Sequence, residues 1–101
     1  MNLKDTLRLN ELFDLYGSLL SANQREITSQ FLEYNLSFTE IAENRSTSRQ
    51  SSFITLKLCI KKLESYEQKL GLLKIKNEIK NSISLLENNK IKEAIKTLKK
   101  L

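Results

Sequence analysis

The side chains best suited to contact another molecule lie between residues 48 and 69. A predicted helix opens with Ser48, Arg49 and Gln50, and four lysines follow in the same helix: Lys57, Lys61, Lys62 and Lys69. An arginine can make two hydrogen bonds to guanine and a glutamine two to adenine. Lysines neutralise backbone phosphates without reading sequence. The pattern predicts a nucleic-acid-binding surface composed of these residues.

Each of these features also has a purely structural explanation. The first turn of a surface helix is commonly polar, and lysines often do no more than solvate the outer side of a long helix. Specific base reading by Arg49 and Gln50 and phosphate contacts by the lysines are therefore two separate hypotheses. The sequence leaves both of them open beside the structural explanation.

Charge is distributed unevenly along the chain. Residues 1–56 carry five basic and seven acidic side chains, whereas residues 57–101 carry twelve lysines and five acids, for a net charge of +5. A basic second half favours a phosphate-rich or acidic partner. A compositional bias of the source toward lysine, asparagine and isoleucine would give the same pattern.

Several function classes find no support in the sequence. The chain has no histidine and one cysteine, and it contains no Gly-rich phosphate loop and no spaced set of metal ligands, so we expect neither an enzyme nor a cofactor or metal. Cys59 is expected to be a small buried apolar residue. No apolar run approaches the ~20 residues that span a bilayer, which predicts a cytoplasmic protein without membrane insertion.

A helix-turn-helix is expected to position the candidate residues. Ser37 and Glu40 fit a capping box that opens a short helix, and Ser48 is a good N-cap for a long one that lasts until Leu70, where Gly71 offers a C-terminal cap. Two helices joined by a turn of about 3–4 residues form this motif. The apolar stripe of the long helix is predicted to be Phe53, Leu56, Ile60, Leu63 and Leu70.

The remaining segments also have helical patterns. A first helix is predicted over residues 3–20, with an apolar stripe at Leu9, Leu12, Phe13, Tyr16, Leu19 and Leu20. A second capping box at Ser21 and Gln24 predicts the start of a helix that lasts to about Tyr34. The aromatic residues Tyr16, Phe31 and Tyr34 are expected in the core. After residue 71, a break at Asn88-Asn89 separates two amphipathic stripes. The first stripe consists of Leu72, Ile75, Ile79, Ile83 and Leu86, and the second of Ile91, Ala94, Ile95, Leu98 and Leu101.

The predicted class is therefore all-α. Residues 1–70 would form the helix-turn-helix module including the long helix. Residues 71–101 would form a helical extension that packs on the module or on a partner chain. Domains of roughly 100–150 residues are typical, so the chain has the length of one modest domain.

Several short motifs, taken together and in order, resemble the YlxM-type family of small bacterial proteins. They are Leu7-Arg8-Leu9-Asn10, Leu12-Phe13-Asp14-Leu15-Tyr16, Ser21 with Gln24-Arg25, Glu40-Ile41-Ala42-Glu43, Ser48-Arg49-Gln50 and the stretch from Tyr66 to Leu73. The resemblance covers residues 3–73. It implies a fold like region 4 of bacterial sigma factors and an accessory or regulatory role in the signal recognition particle pathway. The implied partners are the RNA of that particle or DNA, and the proteins of that particle.

The chain departs from the family pattern at two groups of positions. Arg45, Thr47 and Ser52 stand where the family usually has apolar residues that pack the two helices together, and a buried hydroxyl without a partner would cost roughly 1–3 kcal/mol. Ile54 and Leu58 stand where polar residues are usual, and they share a helix face because they are four residues apart. That face predicts a homodimer interface, unless the last two helices cover it.

Two alternatives to the leading hypothesis follow from these departures. In the first, the chain is a protein–protein adaptor or a dimeric helical protein whose helix-turn-helix no longer binds nucleic acid. In the second, it is a sequence-specific transcriptional regulator that reads DNA through Arg49 and Gln50. The few polar side chains available at the base-reading positions argue against the second alternative.

Overall fold

The structure, a computed structural model, describes residues 3–88 and 90–101, with side chains from Asp5 onward. This part of the chain holds six α-helices and no strand, which confirms the all-α prediction. The helices are α1 (Leu3–Tyr16), α2 (Ala22–Leu32), α3 (Phe38–Arg45), α4 (Arg49–Leu70), α5 (Leu72–Glu87) and α6 (Ile91–Leu98). The chain divides into two compact units, Met1–Lys69 and Leu70–Leu101.

The first helix is shorter than predicted and ends just before Gly17. Helix α1 ends at Tyr16, and residues 17–19 form a single 3-10 turn. A Cβ atom on Gly17 would lie 2.9 Å from two ring carbons of Phe13, so a glycine is needed for this close approach. The change of direction buries Leu20 but leaves Leu19 exposed, and the prediction of a buried Leu19 is wrong.

Both predicted capping boxes are present and set the starts of α2 and α3. The Gln24 N–H donates to Ser21 Oγ at 3.2 Å, and the Ser21 N–H donates to Gln24 Oε1 at 3.3 Å. The Glu40 N–H donates to Ser37 Oγ at 3.2 Å, and the Ser37 N–H donates to Glu40 Oε1 at 3.1 Å. Each box satisfies two backbone donors that a helix start otherwise leaves without a partner.

We expect Ser37→Ala to lower the free energy of unfolding by about 1 kcal/mol, because it removes the acceptor at the start of α3. Urea denaturation followed by circular dichroism measures this loss. Ser18→Ala is the matched control, since Ser18 is an exposed serine in the 3-10 turn. Its effect should stay within about 0.5 kcal/mol. Equal losses in the two variants would contradict a capping role for Ser37.

The first unit has a core to which α1, α2, α3 and α4 all contribute. The fully or almost fully buried apolar side chains include Leu9, Leu12, Tyr16, Ile27, Ile41, Leu56, Cys59 and Leu63. Polar contacts reinforce the packing of α1 on α4. The Tyr16 hydroxyl lies 2.7 Å from Glu67 Oε1, and the Arg8 guanidinium donates to both carboxylate oxygens of Glu64 at 2.9 and 2.8 Å. Helix α4 is therefore held in place along its second half.

The buried stripe of α4 differs from the predicted one, because Ser52 and Cys59 are buried in place of their neighbours Phe53 and Ile60. It consists of Ser52, Leu56, Cys59 and Leu63. Phe53 is 43% exposed and Leu70 is 53% exposed, so their assignment to the core is wrong, and Ile60 is only half-buried. Leu56 and Leu63 fit both stripes, and the burial of Ser52 and Cys59 decides between them.

In the second unit, α5 and α6 pack against each other and bury few side chains. Leu73, Ser82 and Ala94 are buried. The other members of the two predicted stripes are between 40% and 56% exposed: Leu72, Ile75, Ile79, Ile83, Leu86, Ile91, Ile95, Leu98 and Leu101. Gly71 adopts a left-handed conformation with φ of 65°, as a C-terminal cap of α4 requires. Helix α5 ends at Glu87; of the predicted break, Asn89 lies outside the described residues.

Candidate nucleic-acid interface

Helices α3 and α4 are joined by a tight turn at residues 46–48. Ser46 is left-handed, with φ of 53°, and the Thr47 N–H donates to the carbonyl of Ala42 at 3.0 Å. Ser48 then caps α4, because its Oγ accepts from the Ser51 N–H at 3.0 Å. A short helix, a tight turn and a long helix make up the predicted helix-turn-helix.

The two hydroxyls at the helix-turn-helix junction satisfy each other. Ser52 is only 2% exposed, and its Oγ lies 3.1 Å from Thr47 Oγ1. The Ser52 hydroxyl is therefore buried with a hydrogen-bond partner. A hydrogen-bonded pair replaces an apolar contact here, and the cost of burying the Ser52 hydroxyl is largely offset.

Arg45 is also engaged within the first unit. Its guanidinium donates to Asn23 Oδ1, and its Nη1 lies 3.4 Å from Glu26 Oε1. Both partners lie on α2, so these contacts connect α2 to the end of α3. The side chain of Arg45 is mostly buried, which leaves Arg49 as the exposed arginine of the junction.

Arg49 and Gln50 lie exposed in the first turn of α4 and line a cavity of about 300 Å³ with Phe38 and Phe53. The rings of Phe38 and Phe53 meet edge to face with centroids 5.3 Å apart. Phe31 stacks on Phe38 at 5.7 Å. Phe38 and Phe53 thus form an aromatic wall of the cavity. Sequence reasoning missed this aromatic wall, because it assigned Phe53 to the buried stripe.

A first lysine row, Lys57 and Lys61, lies on the exposed side of α4. The two residues are four apart and therefore share a face. The Lys57 ammonium lies 5.3 Å from the centroid of the Phe53 ring, which is within the range of a cation–π contact. The row thus begins beside the aromatic wall.

A second lysine row, Lys62 and Lys69, lies about 100° around the helix from Lys61. The two residues are seven apart, so they again share one side of α4. Lys69 is exposed, whereas Lys62 is half-buried and its ammonium donates to Gln24 Oε1 at 3.2 Å. Lys62 therefore also has a structural role in packing α2 on α4.

Ile54 and Leu58 lie between the two lysine rows. Leu58 is three residues from Lys61 and four from Lys62, so it neighbours both rows. Ile54 is 57% exposed and Leu58 is 47% exposed. The predicted nucleic-acid-binding lysines and the predicted dimer residues consequently occupy one continuous surface of α4.

The other candidate groups have structural roles. Cys59 is buried, and its Sγ lies 3.7 Å from the carbonyl oxygen of Gln24. Burial raises the pKa of the Cys59 thiol, which disfavours the reactive thiolate. Tyr16 is buried as predicted, but Tyr34 follows the end of α2 and is exposed, so its assignment to the core is wrong.

Neither a metal centre nor a membrane span is found among the described residues. In residues 3–88 and 90–101, no three His, Cys, Asp or Glu side chains come together as metal ligands would. Nor does any helix in that part of the chain combine the length and apolarity needed to cross a bilayer.

The sequence is similar to those of a group of bacterial proteins. It matches the model of the UPF0122 family, "Putative helix-turn-helix protein, YlxM / p13 like", over residues 3–101. The UPF0122 protein YlxM of Bacillus subtilis is 41% identical over 93 residues, which cover 92% of this chain and 80% of that protein. A UPF0122 protein of Clostridium botulinum is 39% identical over 94 residues, or 92% of this chain and 86% of the relative.

A UPF0122 protein of Clostridium kluyveri is 39% identical over 80 residues, or 79% of this chain and 72% of the relative. The family match extends beyond residue 73, where the resemblance seen in the sequence ends. Helices α5 and α6 therefore belong to the region that the family shares.

Proposed function

The chain belongs to the UPF0122 family, and from that premise we propose that it is a non-enzymatic accessory protein that binds nucleic acid through α4. The family is described as helix-turn-helix proteins of the YlxM type, which confirms the resemblance found in the sequence. Helix-turn-helix proteins place their second helix against nucleic acid. In this chain that helix is α4.

The observation that carries the proposal is the exposed surface of α4. Arg49 and Gln50 lie in its first turn, and Lys57 and Lys61 follow on its outward side. The first, third and fourth turns of one helix thus present groups that can contact phosphates or base edges. Binding that rests mainly on phosphate contacts weakens steeply as salt rises.

RNA fits this surface better than sequence-specific duplex DNA. Ser52 is buried against Thr47, and Ile54 and Leu58 occupy positions where base-reading side chains would be needed. Structured RNA is recognised largely through its shape and backbone, which requires few base-reading residues. Together with the resemblance to signal recognition particle factors, these features of α4 favour the RNA of that particle as the ligand. The proposed role is regulatory and cytoplasmic, with the proteins of the particle as further partners.

Fluorescence anisotropy with signal recognition particle RNA and with duplex DNA, each over a salt series, tests the proposal. We expect binding to the RNA with a negative slope of log affinity against log salt. Equal affinity for unrelated duplex DNA would reduce the function to general phosphate binding. The absence of binding at low salt would contradict the proposal and leave the adaptor function.

A second candidate function, pairing with another copy of the chain, is favoured by the exposure of Ile54 and Leu58. Apolar side chains on a protein surface commonly mark an interaction site when they are contiguous. The lysine rows on both sides of the pair would repel those of a second copy. Salt screens that repulsion, so a dimer through this surface would strengthen as salt rises, opposite to RNA binding.

We expect Leu58→Glu to convert a dimer into a monomer, because a carboxylate would be buried at the centre of the apolar contact. Analytical ultracentrifugation at several salt concentrations measures the change. Gln68→Glu, an exposed position in the same helix, adds the same charge as a control and should leave the dimer intact. A dimer that persists in Leu58→Glu would exclude this face as the interface.

A further inference from the structure

We propose that the cavity lined by Phe38, Arg49, Gln50 and Phe53 holds a single unpaired nucleobase of RNA. The inference rests on the proposed function, because it assumes that RNA is the ligand of α4. It adds the chemical element that the site recognises. The lysines would bind the backbone, and this cavity would bind one base that is not part of a helix.

The dimensions and walls of the cavity suit a small planar group. Its volume of about 300 Å³ lies at the lower end of the range for small-molecule sites. Phe38 and Phe53 supply two rings set edge to face, with Phe53 43% exposed at the surface. Large aromatic side chains are normally buried, so an exposed ring beside a cavity indicates a contact surface.

The polar groups at the cavity complement a base and its phosphate. Bases of any identity stack on aromatic rings because each has a π face. The Gln50 amide can both donate and accept, as the edge of a base requires, and the Arg49 guanidinium can pair with a phosphate. Lys57, whose ammonium lies 5.3 Å from the centroid of the Phe53 ring, adds a second positive charge near that ring.

Charge and geometry favour an RNA base over an apolar side chain of a protein partner. Arg49 in the cavity wall and Lys57 over its ring are both cations, which attract the phosphates that accompany every base. A base within a duplex has both faces covered by its neighbours. Only an unpaired nucleotide in a loop, a bulge or an end can present a free face to Phe53.

A hairpin RNA whose loop carries 2-aminopurine tests the proposal directly. The emission of this base changes when it stacks, and the chain contains no tryptophan to interfere. We expect wild-type protein to quench the emission on binding. Phe53→Leu should abolish the quenching and weaken hairpin binding roughly tenfold or more, as alanine substitution does at known base-stacking positions. Binding to the stem alone, as a duplex, should stay unchanged.

Two further variants separate stacking from folding. Phe53→Tyr keeps the ring and should retain both quenching and affinity. Tyr34→Leu removes an exposed aromatic ring elsewhere in the first unit and should behave as wild type. Circular dichroism confirms that each variant is folded.

The possible failures are distinguishable. Wild-type binding of the hairpin without a change of emission would overturn the nucleobase site, leave the cavity to a protein segment and keep the proposed RNA-binding function. Equal weakening of hairpin and stem by Phe53→Leu would also overturn it. No binding of either RNA by the wild type would refute the proposed function itself.

Discussion

Replacing Lys57 and Lys61 together by glutamine should weaken RNA binding by about a hundredfold at low salt, since each of the two phosphate contacts contributes roughly tenfold to affinity. The slope of log affinity against log salt should fall by nearly two on a duplex, because each contact releases about 0.9 of a counterion. Both lysines are exposed on the outward side of α4, so the double variant should keep its fold. Anisotropy titrations at several salt concentrations measure affinity and slope together.

The matched control for this experiment is Lys92→Gln with Lys96→Gln. These lysines are also exposed and four residues apart, but they lie on α6. The same reduction of net charge there should change affinity by only a few fold. Equal effects of the two double variants would mean that the total charge of the chain, and not the surface of α4, determines binding.

Leu63→Ala should lower the free energy of unfolding by about 2–5 kcal/mol, the range observed when a buried leucine is truncated and leaves a cavity. Leu63 has no exposed surface and belongs to the buried stripe of α4. Domains of this size are stable by only about 5–15 kcal/mol, so the variant should approach the limit of folding. Urea denaturation followed by circular dichroism measures the difference.

Leu70→Ala is the control that separates the observed stripe from the one that spacing alone predicts. The predicted stripe places Leu63 and Leu70 in the core equally, whereas Leu70 is 53% exposed. Its truncation should therefore cost less than about 1 kcal/mol, because little apolar surface is removed from the interior. Similar destabilisation at the two positions would show that the predicted register of α4 was correct.

The helix starts could be predicted from the sequence because a cap is a local interaction. A serine followed three residues later by Gln24 or Glu40 closes its own hydrogen bonds, whatever the rest of the chain does. The end of α1 was missed for the opposite reason. The helix ends before Gly17, where the Phe13 ring leaves no room for a side chain, and a pattern of apolar residues does not describe such close packing.

The register of α4 could not be predicted because two apolar stripes overlap in its sequence. Spacing alone favours Phe53 and Ile60 over Ser52 and Cys59, since a serine counts as polar. In the folded chain, Thr47 provides the hydrogen-bond partner that allows Ser52 to be buried. With Ser52 in the buried stripe, the next residue, Phe53, lies at the surface.

The candidate site was only partly accessible from the sequence. Residue types and spacing predicted that Arg49, Gln50 and the lysines would lie on one helix, and α4 carries all of them. The cavity and the contact of Lys62 with Gln24 join residues from different helices. Such groupings depend on tertiary packing, which a single sequence does not specify.

The left-handed turn at Ser46 has a consequence for how the helix-turn-helix is maintained. Residues other than glycine, asparagine and aspartate rarely adopt this conformation, which costs roughly 1–2 kcal/mol. The backbone hydrogen bonds that Ser46 and Thr47 donate to carbonyls of α3 offset part of this cost, as in other left-handed helix ends. A peptide excised as residues 37–70 would keep these local bonds but lack the α1 and α2 surfaces on which α3 and α4 pack, so the angle between the helices is a property of the whole first unit.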